Sequence, residues 1–146
     1  MTALFEHSPW VEQRADARPT SESRHDDLMA VVYDAAPDEQ LALIRAHPEL
    51  AGKASIDGTL THASAAEQAS AGLDRLTAQE FERFHALNAA YRARFGFPFI
   101  ICVRLTDKAG ILAAMERRLA NDRDAEVATA LGEIGRITAL RLEAAA

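Results

Sequence analysis

The sequence predicts an all-α protein, a compact single-domain helical bundle interrupted by one extended apolar segment at about 97–105. Three observations lead there. Apolar residues recur every three or four positions through most of the chain, which gathers them on single helix faces. Residue types that start and stop helices stand at the ends of those runs. Only residues 99–105 read as extended, and a lone strand has no partner with which to build a sheet. With 146 residues the chain suits one domain, able to bury roughly 70% of the surface its unfolded form exposes.

Pro19 followed by residues 20–23 predicts a loop and a helix start. A helix then runs to Ala36 with Leu28, Val31, Val32 and Ala35 inward, closed by Pro37. A short second helix covers 38–46 with Leu41 and Ile44 inward. It must end there, because Pro48 disfavours the α conformation at His47. Residues 52–59, with Gly52 and Gly58, predict a loop. A third helix begins near Thr61 or Ser64 and ends by Gly72. Thr77 and Glu80 form the S/T-x-x-E pattern of a capping box, opening a longer helix to Phe95. Its stripe is Phe81, Phe84, Leu87 or Asn88, and Tyr91, and Gly96 suits the left-handed residue that stops it. Asp107 is placed to cap a helix carrying Ile111, Leu112, Met115 and Leu119. The last helix runs from about Asp124 to the C-terminus, with Val127, Leu131, Ile134 and Thr138 on one side.

Apolar residues make up 49% of the chain and charged residues 26%, the balance of an ordinary folded protein. A formal net charge of −6 argues against a sequence-independent grip on nucleic acid. No apolar run approaches the roughly 20 residues needed to span a bilayer, so no membrane partner is expected. The first ten residues contain Glu6 but no Lys or Arg, and the chain ends in three alanines; neither a secretory nor a peroxisomal signal is expected. Cys102 is the single cysteine and suits a reducing compartment, so the expected location is cytoplasmic.

Four places could carry chemistry. His47 sits where a helix stops and an X-Pro bond begins, either as a plain C-terminal cap or as a rigidly aimed proton donor. The partial negative charge of the helix end favours its imidazolium form. Ser64-Ala65-Ala66-Glu67 is either a capping box or a helix start offering amides, a hydroxyl and a carboxylate to a ligand. Phe99, Ile100, Ile101, Cys102 and Val103 are either plain core or a stretch whose unpaired backbone groups bind a flat, amide-rich ligand. Arg141 lies on the inner stripe of the last helix, where an arginine reaches to water, pairs with an acid or holds a ligand carboxylate. There is no G-x-S-x-G elbow, P-loop or H-E-x-x-H pattern. Glu82-Arg83-Phe84-His85 supplies only one of the two Glu-x-x-His elements a di-iron bundle needs, so His85 reads as a surface residue. Cys102, within an apolar run, reads as a small buried hydrophobe.

Several segments together resemble the ureidoimidazoline (OHCU) decarboxylases of urate breakdown. They are Ser8-Pro9-Trp10-Val11, His47-Pro48-Glu49-Leu50-Ala51-Gly52-Lys53, Ser64-Ala65-Ala66-Glu67-Gln68 with Ala71-Gly72-Leu73, and Leu87-Asn88-Ala89-Ala90-Tyr91. The most distinctive runs from Arg94-Phe95-Gly96-Phe97-Pro98 through Phe99-Ile100-Ile101-Cys102-Val103-Arg104, and Leu140-Arg141-Leu142 closes the pattern. The resemblance implies an all-helical homodimer that needs no cofactor or metal and converts 2-oxo-4-hydroxy-4-carboxy-5-ureidoimidazoline, a small anionic ureide, into (S)-allantoin. It implies His47 as catalytic acid and Glu67 as the second catalytic group. Substrate contacts would fall on Pro48, Ser64, Ala65, Ala66, Glu67, Gln68, Phe99, Ile100, Ile101, Cys102, Val103 and Arg141. The competing expectations are a non-catalytic helical interaction module, and a hydrolase acting on a related ureide.

Overall fold

In a computed structural model, residues 4–5, 7–17, 23–51 and 61–145 are described. The loops predicted at 19–22 and 52–59 lie outside the described residues.

Helix α1, Trp10–Asp16, buries Val11 and Ala15 against α2. Nothing in the periodicity predicts it, because two turns carry only those two inward residues. Helix α2, Arg24–Asp34, opens on Ser23, whose hydroxyl accepts the Asp26 N–H at 3.3 Å, and buries Leu28, Met29, Val31 and Val32. Pro37 does more than close this helix. It keeps Ala36 extended and occupies the first turn of α3, Pro37–Arg45, where its missing N–H costs nothing. Leu43 and Ile44 are the buried pair of α3, and the predicted Leu41 is half-buried.

Helix α4, His62–Ser70, is capped by Thr61, whose hydroxyl accepts the Ser64 N–H at 3.2 Å. The alternative start at Ser64 is therefore corrected: Ser64 is a buried residue inside the first turn. Helix α5, Ala78–Phe95, has both bonds of its capping box, Thr77 N–H to Glu80 at 2.9 Å and Glu80 N–H to Thr77 at 3.1 Å. Phe84, Asn88, Tyr91 and Phe95 face inward, Phe81 is half-buried, and Gly96 stops the helix at φ 80°.

Past Gly96 the chain crosses the core as irregular backbone. Among the described residues there is no strand, and residues Val103–Leu105 close into a single 3-10 turn rather than continuing extended. Helix α6, Lys108–Arg118, is capped by Asp107, and buries Ile111, Ala114, Met115 and Arg118. Helix α7, Arg123–Ala145, lies against α2 and α3. Its inward row is Glu126, Ala130, Ile134, Thr138 and Arg141; the predicted Val127 is half-buried beside it. Tyr91 anchors the core, edge-on to Phe97 and Phe99 at 5.9 and 5.3 Å, geometries that favour the positive rim of one ring over the face of another. Among the described residues no helix is long and apolar enough to cross a membrane.

Candidate active site

The C-terminal corner of α3, the inner face of α4, residues 99–104 and the last third of α7 enclose a cleft. His47, Pro48, Ser64, Glu67, Gln68, Phe99, Ile100, Ile101, Cys102, Val103 and Arg141 all line it, with Leu50, Arg104, Ile137 and Leu140 completing the wall. Ala65 and Ala66 do not. Both are exposed on the outer side of α4. The helix-start amides expected around Ser64 are also consumed, since Thr61 takes the N–H of Ser64 through its hydroxyl and that of Ala65 through its carbonyl.

His47 stands two residues beyond the end of α3, with its N–H bonded to Ile44 O at 3.2 Å. Its Nδ1 lies 3.0 Å from the carbonyl oxygen of Leu43. A carbonyl only accepts, so Nδ1 is the nitrogen that carries the proton of this bond. The ring thus caps the end of α3 through Nδ1 and also lines the cleft.

The turn that follows is held from beneath. Gln68 accepts the Ala51 N–H at 3.1 Å and donates to Glu49 O at 3.4 Å, while Asn88 donates to Leu50 O at 2.8 Å. Ala51 has φ 52°, a left-handed conformation that costs a non-glycine residue on the order of 1 kcal/mol and persists where surroundings enforce it. Arg92 adds an ion pair to Glu49 at 2.8 Å. Gln68 therefore lines the cleft and also shapes the corner that aims His47.

Glu67 is not a helix cap. Its carboxylate receives Arg141 in a two-pronged pair, Nε to Oε2 and Nη2 to Oε1, both at 2.8 Å, and Arg141 also donates to Leu4 O at 3.1 Å. The side chains are only 14% and 6% exposed. Arg141 thus pairs with an acid, and the pair forms part of the cleft wall.

The apolar wall carries its own polar supports. Arg118 donates to Ile100 O at 2.7 Å and Glu133 accepts the Cys102 N–H at 3.2 Å. Burial, reinforced by the nearby Glu133 charge, pushes the Cys102 thiol up, so it stays protonated and inert. His85 is exposed and stacks beside Phe81 on α5, away from the cleft. Among the described residues no three His, Cys, Asp or Glu side chains gather around a common point fit for a metal ion.

Sequence reasoning missed Asn88, Arg118, Glu126 and Glu133 as supports of the site. One signal was available: Glu126 falls in register with Ala130, Ile134 and Thr138, and an acid on an inward row needs a partner.

The chain can be compared with known proteins on this basis. A family model described as OHCU decarboxylase matches residues 1–143. The 2-oxo-4-hydroxy-4-carboxy-5-ureidoimidazoline decarboxylase of Haloferax volcanii is 44% identical over 142 residues, covering 95% of this chain and 82% of that protein. The uric acid degradation bifunctional protein of Bacillus subtilis is 41% identical over 143 residues, which are 96% of this chain and 28% of the larger one. Among solved structures, that of (S)-allantoin synthase is similar with a TM-score of 0.72 and 30% identity, over 97% of this chain and 46% of that one. The chain belongs to the OHCU decarboxylase family, and so to the lyases.

Proposed function

We propose that this protein decarboxylates 2-oxo-4-hydroxy-4-carboxy-5-ureidoimidazoline to (S)-allantoin without a cofactor, with His47 as general acid. The observation that carries this reading is the convergence of His47, the Glu67–Arg141 pair and the wall of residues 99–103 on one cleft. The substrate carries a carboxylate and a hydroxyl on one ring carbon, beside a ring C=N bond. When the carbon–carboxylate bond breaks, its electron pair enters that C=N system and carbon dioxide leaves. The ring nitrogen of that bond takes up a proton, the hydroxyl gives one up as the carbonyl forms, and the neighbouring, ureido-bearing carbon gains one, so that one proton is consumed overall. The ring is its own electron sink, so the protein supplies orientation, charge stabilisation and a proton on one face.

His47 supplies that proton from Nε2, its ring held by the Leu43 carbonyl. Glu67 accepts the ureido N–H groups. An ionised carboxylate offers about four lone-pair directions, and Arg141 uses two of them. Arg141 keeps the acid in place and offsets charge near the departing carboxylate. In extended backbone, alternate residues turn their polar groups to opposite sides. Ile100 and Cys102 bond outward to Arg118 and Glu133, which turns the N–H and C=O of Ile101 toward the ligand. Ser64, Gln68 and Pro48 fill the remaining contacts. A homodimer in the cytoplasm completes the reading; light scattering on the purified protein tests the dimer.

The deciding experiment generates the unstable ureide freshly from urate and follows optical rotation. The protein should produce one allantoin enantiomer quickly, whereas spontaneous decay yields a mixture. An unchanged rate and an optically inactive product would remove this function.

A further inference from the structure

We propose that Arg118 is a positioning residue for this reaction, holding the peptide between Ile100 and Ile101 so that the ligand-facing wall is preorganised. The inference rests on the function proposed above. Arg118 ends α6 outside the cleft lining, yet it is one of the most constrained charges in the molecule. Its Nε donates to Glu126 Oε1 at 2.8 Å, its Nη1 donates to Ile100 O at 2.7 Å, and its guanidinium lies over the Phe99 ring, 4.2 Å from the centroid. Glu126 is completely buried and is itself held by the Tyr91 hydroxyl and by Asn121 Nδ2 at 2.8 Å. Tyr91 in turn packs edge-on to Phe99. Four side chains from α5, α6, α7 and the α6–α7 connection thus close on two consecutive residues of an otherwise irregular stretch.

Stability alone is a poor reason to keep such an arrangement. A buried ion pair often does no better than apolar side chains of the same volume, and here one guanidinium nitrogen, Nη2, has no hydrogen-bond partner among the described residues. What the arginine provides that a methionine would not is a fixed direction for the Ile100 carbonyl. Because that carbonyl and the Ile101 N–H belong to one rigid peptide plane, fixing one fixes the other. A guanidinium can do this because its planar fork reaches two acceptors at once, Glu126 and Ile100. A lysine offers a single point charge.

The test uses two variants of the full chain. Arg118→Met with Glu126→Gln removes the charges and retains an acceptor for Tyr91; Arg118→Lys retains the cation beside Glu126. Each is measured by steady-state turnover of freshly generated ureide, by urea unfolding, and by amide hydrogen exchange across residues 99–103. Loss of one ordered hydrogen bond to substrate predicts KM raised about tenfold, with kcat within about threefold. Exchange in 99–103 should quicken about tenfold while α7 keeps its protection. A residue that merely stabilises the fold would instead lower activity in proportion to the folded fraction, with KM and local exchange unchanged, and that result overturns the proposal. Should the unaltered protein leave the ureide untouched, the assigned reaction fails. The exchange data then still decide whether Arg118 orders this wall: quickened exchange upholds it and unchanged exchange refutes it.

Discussion

Glu67→Ala separates two explanations of the same four residues. If Ser64-Ala65-Ala66-Glu67 were a capping box, removing the glutamate would cost about 1 kcal/mol. The structure assigns the cap to Thr61 and gives Glu67 a two-pronged pair with Arg141, both bonds at 2.8 Å, with the side chains 14% and 6% exposed. Removing the acid strands a guanidinium in low dielectric, a change that costs about 3–5 kcal/mol in buried pairs. Glu67 retains some contact with water, so the lower end applies, about 3 kcal/mol. For a chain of this size that is a fall in Tm of about 6–12 °C. Urea unfolding followed by circular dichroism measures it directly, with an unchanged m-value confirming that the denatured state is not what moved. The companion variant, Glu67→Leu with Arg141→Met, removes both charges and should recover to within about 1 kcal/mol of the unaltered protein while remaining inactive. A single-variant loss of 1 kcal/mol or less, or a double variant no more stable than the single, refutes the ion-pair account.

His47→Asn should lower kcat/KM by about 10²–10⁴, the usual worth of a general acid, with unfolding shifted by less than about 1 kcal/mol; turnover within tenfold of normal would end the acid role. Thr61→Ala should cost about 1 kcal/mol and leave turnover per folded molecule intact. If Thr61→Ala is silent and Ser64→Ala shows that cost, α4 is capped at Ser64 after all. The Glu80 carboxyl is held below the usual carboxylate range by the Thr77 N–H and then by Lys108. Its charged form therefore stabilises the fold fully above the unfolded value of about 4.3, and that contribution is lost as pH falls through the lower folded value. Glu80→Gln should be less stable than the unaltered protein near neutrality, with the gap narrowing below about pH 4.3; a gap constant with pH contradicts this.

What could be read in the sequence divides by range. The ends of α5 were legible because capping is settled within four residues: Thr77 and Glu80 complete each other, and Gly96 accepts a conformation that side chains resist. His47 was legible as a corner because the following proline constrains it alone. Thr61 and Ser64 were ambiguous for the same local reason, both being good caps. Only the distant partner resolves them, since Arg141 lies 74 residues from the Glu67 it captures. Arg118, Glu126 and Glu133 were illegible as supports because their acceptors and donors belong to other segments. An acid on an inward row says that a partner exists without saying where. The cleft residues were recognisable by type and family resemblance, whereas Ala65 and Ala66 shared the motif but not the face.

The placement of these supports bears on how a small helical protein can be accurate about a proton. Two of the cleft walls are irregular chain, the turn at 47–51 and the crossing at 97–102, and irregular backbone lacks the repeating bonds that stiffen a helix. Each is instead gripped by side chains rooted in regular helices: Gln68 on α4 and Asn88 on α5 for the first, Arg118 on α6 and Glu133 on α7 for the second. Stereospecific protonation requires the donor and the ring to keep their relative face throughout the reaction, and errors near 1 Å are costly there. On the proposed mechanism, with Nδ1 tied to α3 and the wall at 97–102 tied to α6 and α7, the proton donor and the surface that orients the ring are referenced to one helical core. The enantiomeric purity of the product is therefore expected to depend on residues that never touch it.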